Sequence, residues 1–312
     1  MQTYSAGDYI KKQREEKQIS QDALCLGICN KSTLSRIERG KQEASYSVLK
    51  LLLERLGLPG ERCQILMSQQ DFVINDLQKE ITVLNMGHNY MESLKKIAEL
   101  KEFINGRNLS DDPILKQFLL RTQAVAGYEQ DHQRVSYTFE EKRVILMQAI
   151  ELTCPGITIE TMGNYLLGED EAKIFNQLAI TYSETGNSLT AIEIYRQLLD
   201  YVDHHFAGSE VRTVMLPLTA YNYSRLLGRA GRYEEGIQVA ERGRQCCVKY
   251  NKCRFLGGLL LNLSYCLHYL GEDDRSKELI IDAYYVNKAM ERTSSCEIIQ
   301  KYAKDELGIE IG

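Results

Sequence analysis

A pattern of five residues recurs three times after residue 170 and limits the possible folds of the chain. Each copy places a small residue, a bulky residue, a glycine, a second small residue and an apolar residue at the same offsets. The three copies are Ala179, Tyr182, Gly186, Ala191 and Tyr195; Ser224, Leu227, Gly231, Gly236 and Ala240; and Ser264, Leu267, Gly271, Ser276 and Ile280. Small residues allow two helices to approach closely, and the glycine makes the turn between them. The pattern therefore predicts stacked helical hairpins that bury their apolar faces against one another.

The pattern is similar to that of tetratricopeptide repeats, although successive copies are 45 and 40 residues apart instead of about 34. The helices or the loops between repeats are therefore expected to be extended. Only 4 of the 312 residues are proline, and the chain has no long alternation of valine and threonine, so helix is favoured throughout. We expect an all-α chain in which residues 109–312 form a right-handed α-solenoid of tetratricopeptide-like hairpins with a concave face.

Residues 1–70 predict a separate domain of about five helices. Ser20 is a suitable N-cap for a helix that Gly27 ends, and a second helix, residues 31–39, stops at Gly40. The apolar side chains that can form a common core are Leu24, Ile28, Leu34, Ile37, Val48, Leu49, Leu52, Leu53 and Leu56. Two short helices that cross over such a core predict a helix-turn-helix.

The segment ISQDALCLGICNKSTLSRIERGKQEASYSVLKLLLERLGL resembles the Cro/C1-type helix-turn-helix of phage repressors. The shared elements are Gln21, the Gly27-Ile28 turn, the run from Ser32 to Gly40, and Leu56-Gly57. The resemblance implies that Arg14 and Glu38 form a buried charged pair between the first and third helices.

The candidate recognition helix is the one over residues 31–39. The major groove is about 12 Å wide, so side chains near the start of this helix reach base edges. The candidates for base contacts are Asn30, Lys31, Ser32 and Arg36. The candidates for phosphate contacts are Gln21, Thr33, Ser35 and Lys41. The alternatives are that these side chains are merely solvated and that Asn30 or Cys29 caps the helix.

One such domain contacts too little DNA to define a specific site, so we expect a dimer on two half-sites of double-stranded DNA. The distribution of charge along the chain also supports DNA contact by residues 1–70 alone. Residues 1–70 contain 11 Lys and Arg against 8 Asp and Glu, whereas the remaining 242 residues contain 27 against 35. A basic domain on an acidic body is expected when only the former meets phosphate. No apolar run approaches the ~18 residues of a membrane helix, so we expect a cytosolic protein without a membrane partner.

Residues 71–108 are expected to connect the two parts as one long helix with a kink. Apolar residues recur there at helical spacing, interrupted only by Gly87. Two further helices are predicted over residues 113–130 and 138–152, before the breaker Cys154-Pro155-Gly156.

The first helix of each repeat carries polar residues near its small position, on the face expected to line the groove. These peptide-binding candidates are Asn176, Gln177, Asn222, Arg225, Asn262 and Tyr265. An asparagine amide both donates and accepts hydrogen bonds, which suits the backbone of an extended peptide. The alternative is that each asparagine bonds to a neighbouring helix. Arg225, Arg229 and Lys173 could pair with a peptide carboxylate or remain solvated.

The order of the modules resembles that of the peptide-pheromone-responsive regulators of Gram-positive bacteria, the group that contains PlcR, PrgX, NprR and the Rgg proteins. The segments that carry the resemblance are GICNKSTLSRIERG, FNQLAITYSETG with Asn176, and YNYSRLLGRAGRYEEG with Asn222. The resemblance implies an imported short linear signalling peptide for quorum sensing, a homodimer formed through the carboxy-terminal repeats, and control of transcription. The leading hypothesis is a regulator in which peptide binding changes the geometry of two DNA-binding domains.

Two other classes of function stay open: a DNA-tethered scaffold whose repeats bind another protein, and an enzyme such as the response-regulator phosphatases that the repeats alone resemble. The sequence has no glycine-rich phosphate loop, serine elbow or supported carboxylate pair, so we expect no enzyme and no cofactor. The nine cysteines are expected to be reduced. The spacing of Cys246-Cys247, Cys253, Cys266 and His268 does not fit a metal site.

Overall fold

The computed structural model describes residues 5–60 and 67–312, and the chain divides into two compact units, Met1–Thr185 and Gly186–Gly312. The first unit contains α1 (Ala6–Glu16), α2 (Gln21–Cys25), α3 (Lys31–Glu38), α4 (Tyr46–Arg55), α5 (Gln69–Met86), α6 (Tyr90–Asn105), α7 (Pro113–Ala126), β1 (Tyr128–Gln130), β2 (Gln133–Val135), α8 (Phe139–Thr153) and α9 (Glu169–Glu184). The second unit contains α10 (Ser188–His205), α11 (Glu210–Arg229), α12 (Tyr233–Lys249), α13 (Leu256–Tyr269), α14 (Asp273–Ala289) and α15 (Thr293–Asp305). The predicted all-α class is confirmed, apart from one short hairpin. None of the helices in the described ranges is long and apolar enough to cross a membrane.

Helices α1 to α4 form the head domain, the name used below for residues 5–60. Each helix begins at a serine or asparagine whose side-chain oxygen accepts a hydrogen bond from a backbone amide of the first turn. Asn30, and not Cys29, caps α3 by accepting from the amide of Thr33 at 2.8 Å. The apolar residues predicted for the core pack together, so the helix-turn-helix is confirmed. Four of the expected five or so helices are seen here, and residues 61–66 lie outside the described residues.

A buried ion pair joins α1 to α3 inside the head domain. Arg14 donates to the Glu38 carboxylate at 2.7 and 3.0 Å, and Gln21 donates to the same carboxylate at 2.7 Å. The pair that the resemblance implied is therefore present, with the Glu38 side chain 2% exposed. The two helices are in close contact at Gly7, where a Cβ would lie 1.9 Å from the carbonyl oxygen of Ile37.

The structure corrects the single connecting helix expected over residues 71–108. The segment forms two helices, α5 and α6, which pack against each other. The chain reverses at His88, with a φ of 59°, and the amide of Asn89 donates to the carbonyl of Leu84. Both helices are apolar on one face, and these faces share a core with α7. The same apolar spacing therefore serves a helical hairpin, with its turn after Gly87.

Helices α7 and α8 confirm the two helices predicted next in the chain, and α8 ends at Thr153, directly before the predicted breaker. Between them lies a hairpin of two three-residue strands that was not predicted from the sequence. Its turn is made by Asp131 and His132, which have φ values of 50° and 59°. Strands this short show no readable periodicity, which is why the prediction extended α7 instead.

In the second unit, α11 packs against α12 and α13 packs against α14, as the repeats predicted. Gly231 and Gly271 make the turns with φ values of 74° and 81°. A Cβ at either position would meet nothing within 4 Å, so the backbone conformation, and not lack of space, favours glycine. The predicted small residues Ser264 and Ser276 each donate a hydrogen bond to the other's carbonyl, at 2.9 and 2.8 Å, and hold α13 to α14.

A cluster of charged side chains lies where α4 of the head domain meets the start of α9. Glu54 accepts a hydrogen bond from the backbone amide of Glu169 at 2.9 Å, and Lys50 lies 3.6 Å from its other oxygen. Burial raises the pKa of Glu54 to about 7 despite the attraction of Lys50. Burial also acts to raise the pKa of Asp170, but Arg121 at 2.8 Å, Lys173 at 3.6 Å and Lys50 together outweigh it and hold the pKa of that carboxyl below its ordinary value.

The Arg14–Glu38 pair predicts a large loss of stability on one substitution. Glu38→Ala leaves the Arg14 charge buried without its partner and should lower the free energy of unfolding by about 3 to 5 kcal/mol. The control is Glu16→Ala, which removes an exposed carboxylate 3.9 Å from Lys12 and should cost less than about 1 kcal/mol. Urea unfolding followed by circular dichroism measures both, and equal stabilities would contradict the role given to the pair.

The raised pKa of Glu54 predicts how stability changes with pH. Glu54 takes up a proton on folding between its ordinary pKa of 4.5 and about 7, so its contribution to stability falls as the pH rises through this window. Glu54→Gln keeps an acceptor for the Glu169 amide but does not ionise. The free energy of unfolding of the variant, minus that of the wild type, should therefore increase by about 1 to 3 kcal/mol between about pH 5 and about pH 8. Urea unfolding across this range tests it, and a difference that stays flat or decreases would be the opposite result.

Candidate nucleic-acid and peptide interfaces

The first turns of α3 present polar side chains to solvent. Lys31, Ser32 and Arg36 are exposed, whereas Leu34 and Ile37 of the same helix are buried in the head domain. Because one face of α3 is anchored in the core and its start is capped, the exposed side chains are held in a defined direction. This is the arrangement that insertion of a helix into a major groove requires.

The exposed cations of this surface have weak partners within the head domain. Lys31 lies 2.7 Å from the carboxylate of Asp22, with both side chains exposed. Arg36 donates to the hydroxyl of Thr33 at 3.4 Å. Exposed ion pairs contribute at most about 1 kcal/mol, so a phosphate or a base can replace these partners at little cost. Lys41, beyond the end of α3, is also exposed.

Two predicted DNA contacts already serve the head domain. The side-chain oxygen of Asn30 accepts from the amide of Thr33 and from the hydroxyl of Ser32, at 2.8 and 2.7 Å. The amide of Gln21 donates to Glu38. DNA contact by Asn30 and Gln21 stays a prediction. In this conformation it falls to the amide nitrogen of Asn30 and to the second N–H of the Gln21 amide, because the Gln21 oxygen cannot donate to a phosphate.

The six peptide-binding candidates are divided between the units. The first unit holds Asn176 and Gln177 on α9, and the second holds Asn222, Arg225, Asn262 and Tyr265 on α11 and α13. The side-chain oxygen of Gln177 is buried and has no hydrogen-bond partner among the described residues. A buried acceptor of this kind suits a ligand that brings an N–H group.

The three asparagines are more buried than a groove-lining role suggests. Asn176, Asn222 and Asn262 are 4%, 9% and 6% exposed. Asn262 donates to the carbonyl of Tyr221 at 2.9 Å and to the hydroxyl of Ser224 at 2.8 Å, so it ties α13 to α11. The alternative that each asparagine bonds to a neighbouring helix therefore applies to Asn262. Peptide contact by the three residues stays a prediction.

Four tyrosines of the second unit form what we call the tyrosine cluster: Tyr233, Tyr265, Tyr269 and Tyr302. The ring centroid of Tyr265 is 4.8 Å from that of Tyr269 and 6.0 Å from that of Tyr302, and Tyr233 stacks on Tyr269 at 5.1 Å. Burial and the neighbouring Tyr269 phenol raise the pKa of Tyr265 to about 12, so its hydroxyl keeps its proton at neutral pH. Of these four tyrosines, only Tyr265 was predicted from the sequence, since contacts between separate helices leave no periodic signal.

Helix α11 contributes a cation beside this cluster. The ring of Tyr265 covers α11 at Gly228, where a Cβ would lie 3.2 Å from it. Arg225 lies one turn earlier on the same helix, with its guanidinium 6.0 Å from the ring centroid of Tyr221. An aromatic surface with a cation at its side fits an apolar segment next to a carboxylate.

The cysteines are built into the packing. Cys246, Cys247 and Cys266 are buried, and burial raises the pKa of Cys247 to about 11, which keeps its thiol protonated. The described ranges contain no group of three histidine, cysteine, aspartate or glutamate side chains that could hold a metal ion.

Several solved structures share the fold of this chain. The chain is similar to PlcR of Bacillus thuringiensis in complex with the peptide PapR7 and DNA, with a TM-score of 0.60, 20% identity, and coverage of 95% of this chain and 99% of that chain. It is also similar to the apo form of PlcR, with a TM-score of 0.58, 18% identity, and coverage of 95% of this chain and 98% of that chain. For ComR of Streptococcus vestibularis in complex with its signalling peptide XIP, the TM-score is 0.52 and the identity 14%, with coverage of 98% of this chain and 98% of that chain. These identities show a shared fold alone, and no curated protein matches the chain.

Two family models match the sequence itself. A helix-turn-helix model matches residues 10–62. The model of the RNPP family C-terminal domain matches residues 78–298, which begins inside α5 and so includes helices first assigned to the connection. A match over more than half of the chain shows that this protein belongs to the RNPP family.

Proposed function

We propose that this protein is a sequence-specific DNA-binding transcription regulator whose repeat domain binds a short signalling peptide. The observation that carries the proposal is the recognition surface of α3, where Lys31, Ser32 and Arg36 project from a helix that is capped and anchored on its other face. Membership of the RNPP family supports the same function, as do the complexes of PlcR with PapR7 and DNA and of ComR with XIP. The free cysteines fit the reducing cytosol.

In this proposal the start of α3 enters the major groove. Arg36 and Lys31 donate to the O6 and N7 acceptors of guanine. The Ser32 hydroxyl can contact a donor or an acceptor group on a base edge. Thr33 and Lys41 contact phosphates, which sets the register of the helix on the duplex without reading sequence. One α3 reads few base pairs. We therefore propose a homodimer whose two head domains bind half-sites about 34 Å apart.

For the peptide, we place the contacts of the second unit at Arg225, Tyr221 and the tyrosine cluster. The rings supply apolar contact area with little loss of side-chain entropy, and Arg225 supplies the partner for a carboxylate. Asn262 holds α13 to α11 beside this surface, and peptide contact by Asn222 and Asn262 stays a prediction. On α9, the unpartnered oxygen of Gln177 suits a peptide N–H group.

The DNA assignment predicts a loss of affinity that depends on position and not only on charge. A duplex is first selected by the wild type from a pool of random sequence. The double variant Lys31→Ala and Arg36→Ala should bind this duplex at least about 100-fold more weakly, because both base contacts are lost.

A charge-matched control separates loss of base contacts by α3 from a general loss of positive charge. The double variant Lys95→Ala and Arg275→Ala removes two cations that are 66% and 64% exposed on other helices, and it should change affinity less than about twofold. An equal loss of DNA affinity in both double variants would show that net charge, and not base contact by α3, determines binding. Failure of the wild type to enrich any sequence would refute the proposed function.

The peptide assignment is tested with a library of short linear peptides of random sequence, with bound peptides identified by mass spectrometry. Tyr265→Ala and Arg225→Ala should each weaken retention of the enriched peptides by at least about tenfold. The control is Tyr285→Ala, which removes a tyrosine that is 52% exposed on α14. A wild type that selects DNA but enriches no peptide would instead favour the DNA-tethered scaffold.

A further inference from the structure

The side chain of Arg55, the last residue of α4, is 1% exposed and uses all its nitrogen atoms as donors. One terminal nitrogen donates to the carbonyls of Leu24 and Leu26 at 3.3 and 2.5 Å. The other donates to the carbonyl of Thr153 at 2.8 Å and to Glu171 at 2.6 Å. The third nitrogen, Nε, lies 3.5 Å from the second oxygen of Glu171. A single guanidinium thus connects α2, α8 and α9.

On the head-domain side, Arg55 holds the turn of the helix-turn-helix. Leu26 ends α2 with φ −52° and ψ 123°, and Gly27 follows with φ 68°. These backbone angles set the direction in which the chain continues into α3. A cation that binds the last carbonyls of α2 also satisfies groups that the helix end leaves without partners. Arg55 therefore restrains the angle between α2 and the recognition helix.

On the other side, Arg55 meets a carboxylate in the first turn of α9. Glu171 is 0% exposed and also accepts from the hydroxyl of Thr153 at 2.6 Å and from the amide of Gly168 at 2.5 Å. Burial disfavours its charge, but Arg55 and these hydrogen bonds prevail, so the pKa of Glu171 is lowered. The turn also packs directly on α8, because a Cβ at Gly27 would lie 2.1 Å from the carbonyl oxygen of Thr153.

The chemistry of this contact favours orientation over stability. Apolar side chains of similar volume stabilise a protein interior as well as a buried ion pair does, or better. What an arginine adds is a planar fork with fixed hydrogen-bond directions, which a lysine or a leucine lacks. A fork that contacts three elements at once transmits the position of one element to the others.

We propose that Arg55 is a positioning residue that makes the angle of the recognition helix depend on the position of α9. The proposal rests on the DNA-binding function proposed above. Helix α9 carries Glu171 in its first turn and the peptide candidates Asn176 and Gln177 within two turns of it. A ligand that displaces α9 therefore moves Glu171, Arg55 and the turn at Leu26 together.

The test combines hydrogen exchange with DNA discrimination. Glu171→Gln keeps the shape of the side chain but removes its charge, and the double variant Arg55→Met and Glu171→Met removes the pair without leaving a lone charge. In both, amide exchange over residues 22–30 should rise by at least about tenfold while the rest of the chain changes little. Discrimination between the selected duplex and one with altered bases under α3 should fall by at least about tenfold, with the thermal midpoint of the double variant retained.

The matched control is Arg121→Met, which breaks the ion pair with Asp170, the residue next to Glu171 on α9. It should leave exchange over residues 22–30 unchanged. A rise in exchange throughout the chain, or an equal rise in Arg121→Met, would show that Arg55 only stabilises the fold.

Two further outcomes keep the proposals separate. If the wild type selects no DNA, the proposed function fails, whereas the exchange experiment still decides the role of Arg55. If the variants do not fold, exchange of the wild type in increasing urea replaces them. Residues 22–30 and 167–173 should then open in one step, and independent opening of the two segments overturns the proposal.

Discussion

The first unit depends on one buried guanidinium, because three backbone carbonyls from the ends of α2 and α8, and one carboxylate of α9, converge on Arg55. Each partner leaves water only because the others satisfy the charge and the carbonyls that face it. The head domain therefore cannot rotate on α8 and α9 without breaking several charge-assisted hydrogen bonds at once. Gly27 adds a steric condition to this electrostatic one, since its turn sits against Thr153 with no room for a side chain.

Local patterns predicted most of the helices, because caps and turn glycines act over four or five residues. Ser20 and Asn30 cap the helices that they were expected to cap, and Gly231 and Gly271 make the turns of the repeats. The connection was mispredicted because apolar spacing reports that a face is buried but not what buries it. Gly87 was therefore interpreted as a kink in one helix, although α5 and α6 fold back on each other.

The candidate sites were harder to predict, since they depend on which neighbour a side chain meets. Asn262 and Tyr265 are three residues apart on α13, yet the first bonds to α11 and the second joins a tyrosine cluster drawn from three helices. Both residues lie near the small repeat residue Ser264, so the repeat pattern could not distinguish these roles. Arg55 gave no signal at all, because an arginine at the end of an apolar helix looks like a solvated C-terminal cation until Glu171, 116 residues away, is seen beside it.

The magnitudes limit how a peptide can act through this contact. A ligand shifts a conformational equilibrium only by its difference in affinity for the two states, typically about 1 to 3 kcal/mol. Separating Arg55 from Glu171 while both stay buried would leave each charge with only its neutral hydrogen-bond partners, which costs about 3 to 5 kcal/mol. Under the proposed coupling, a peptide with this typical preference would therefore be too weak to break the buried pair. The proposed coupling then requires that the peptide displaces α9 with the pair intact, so that the two states of the regulator differ in the angle of the recognition helix and not in whether the head domain is docked.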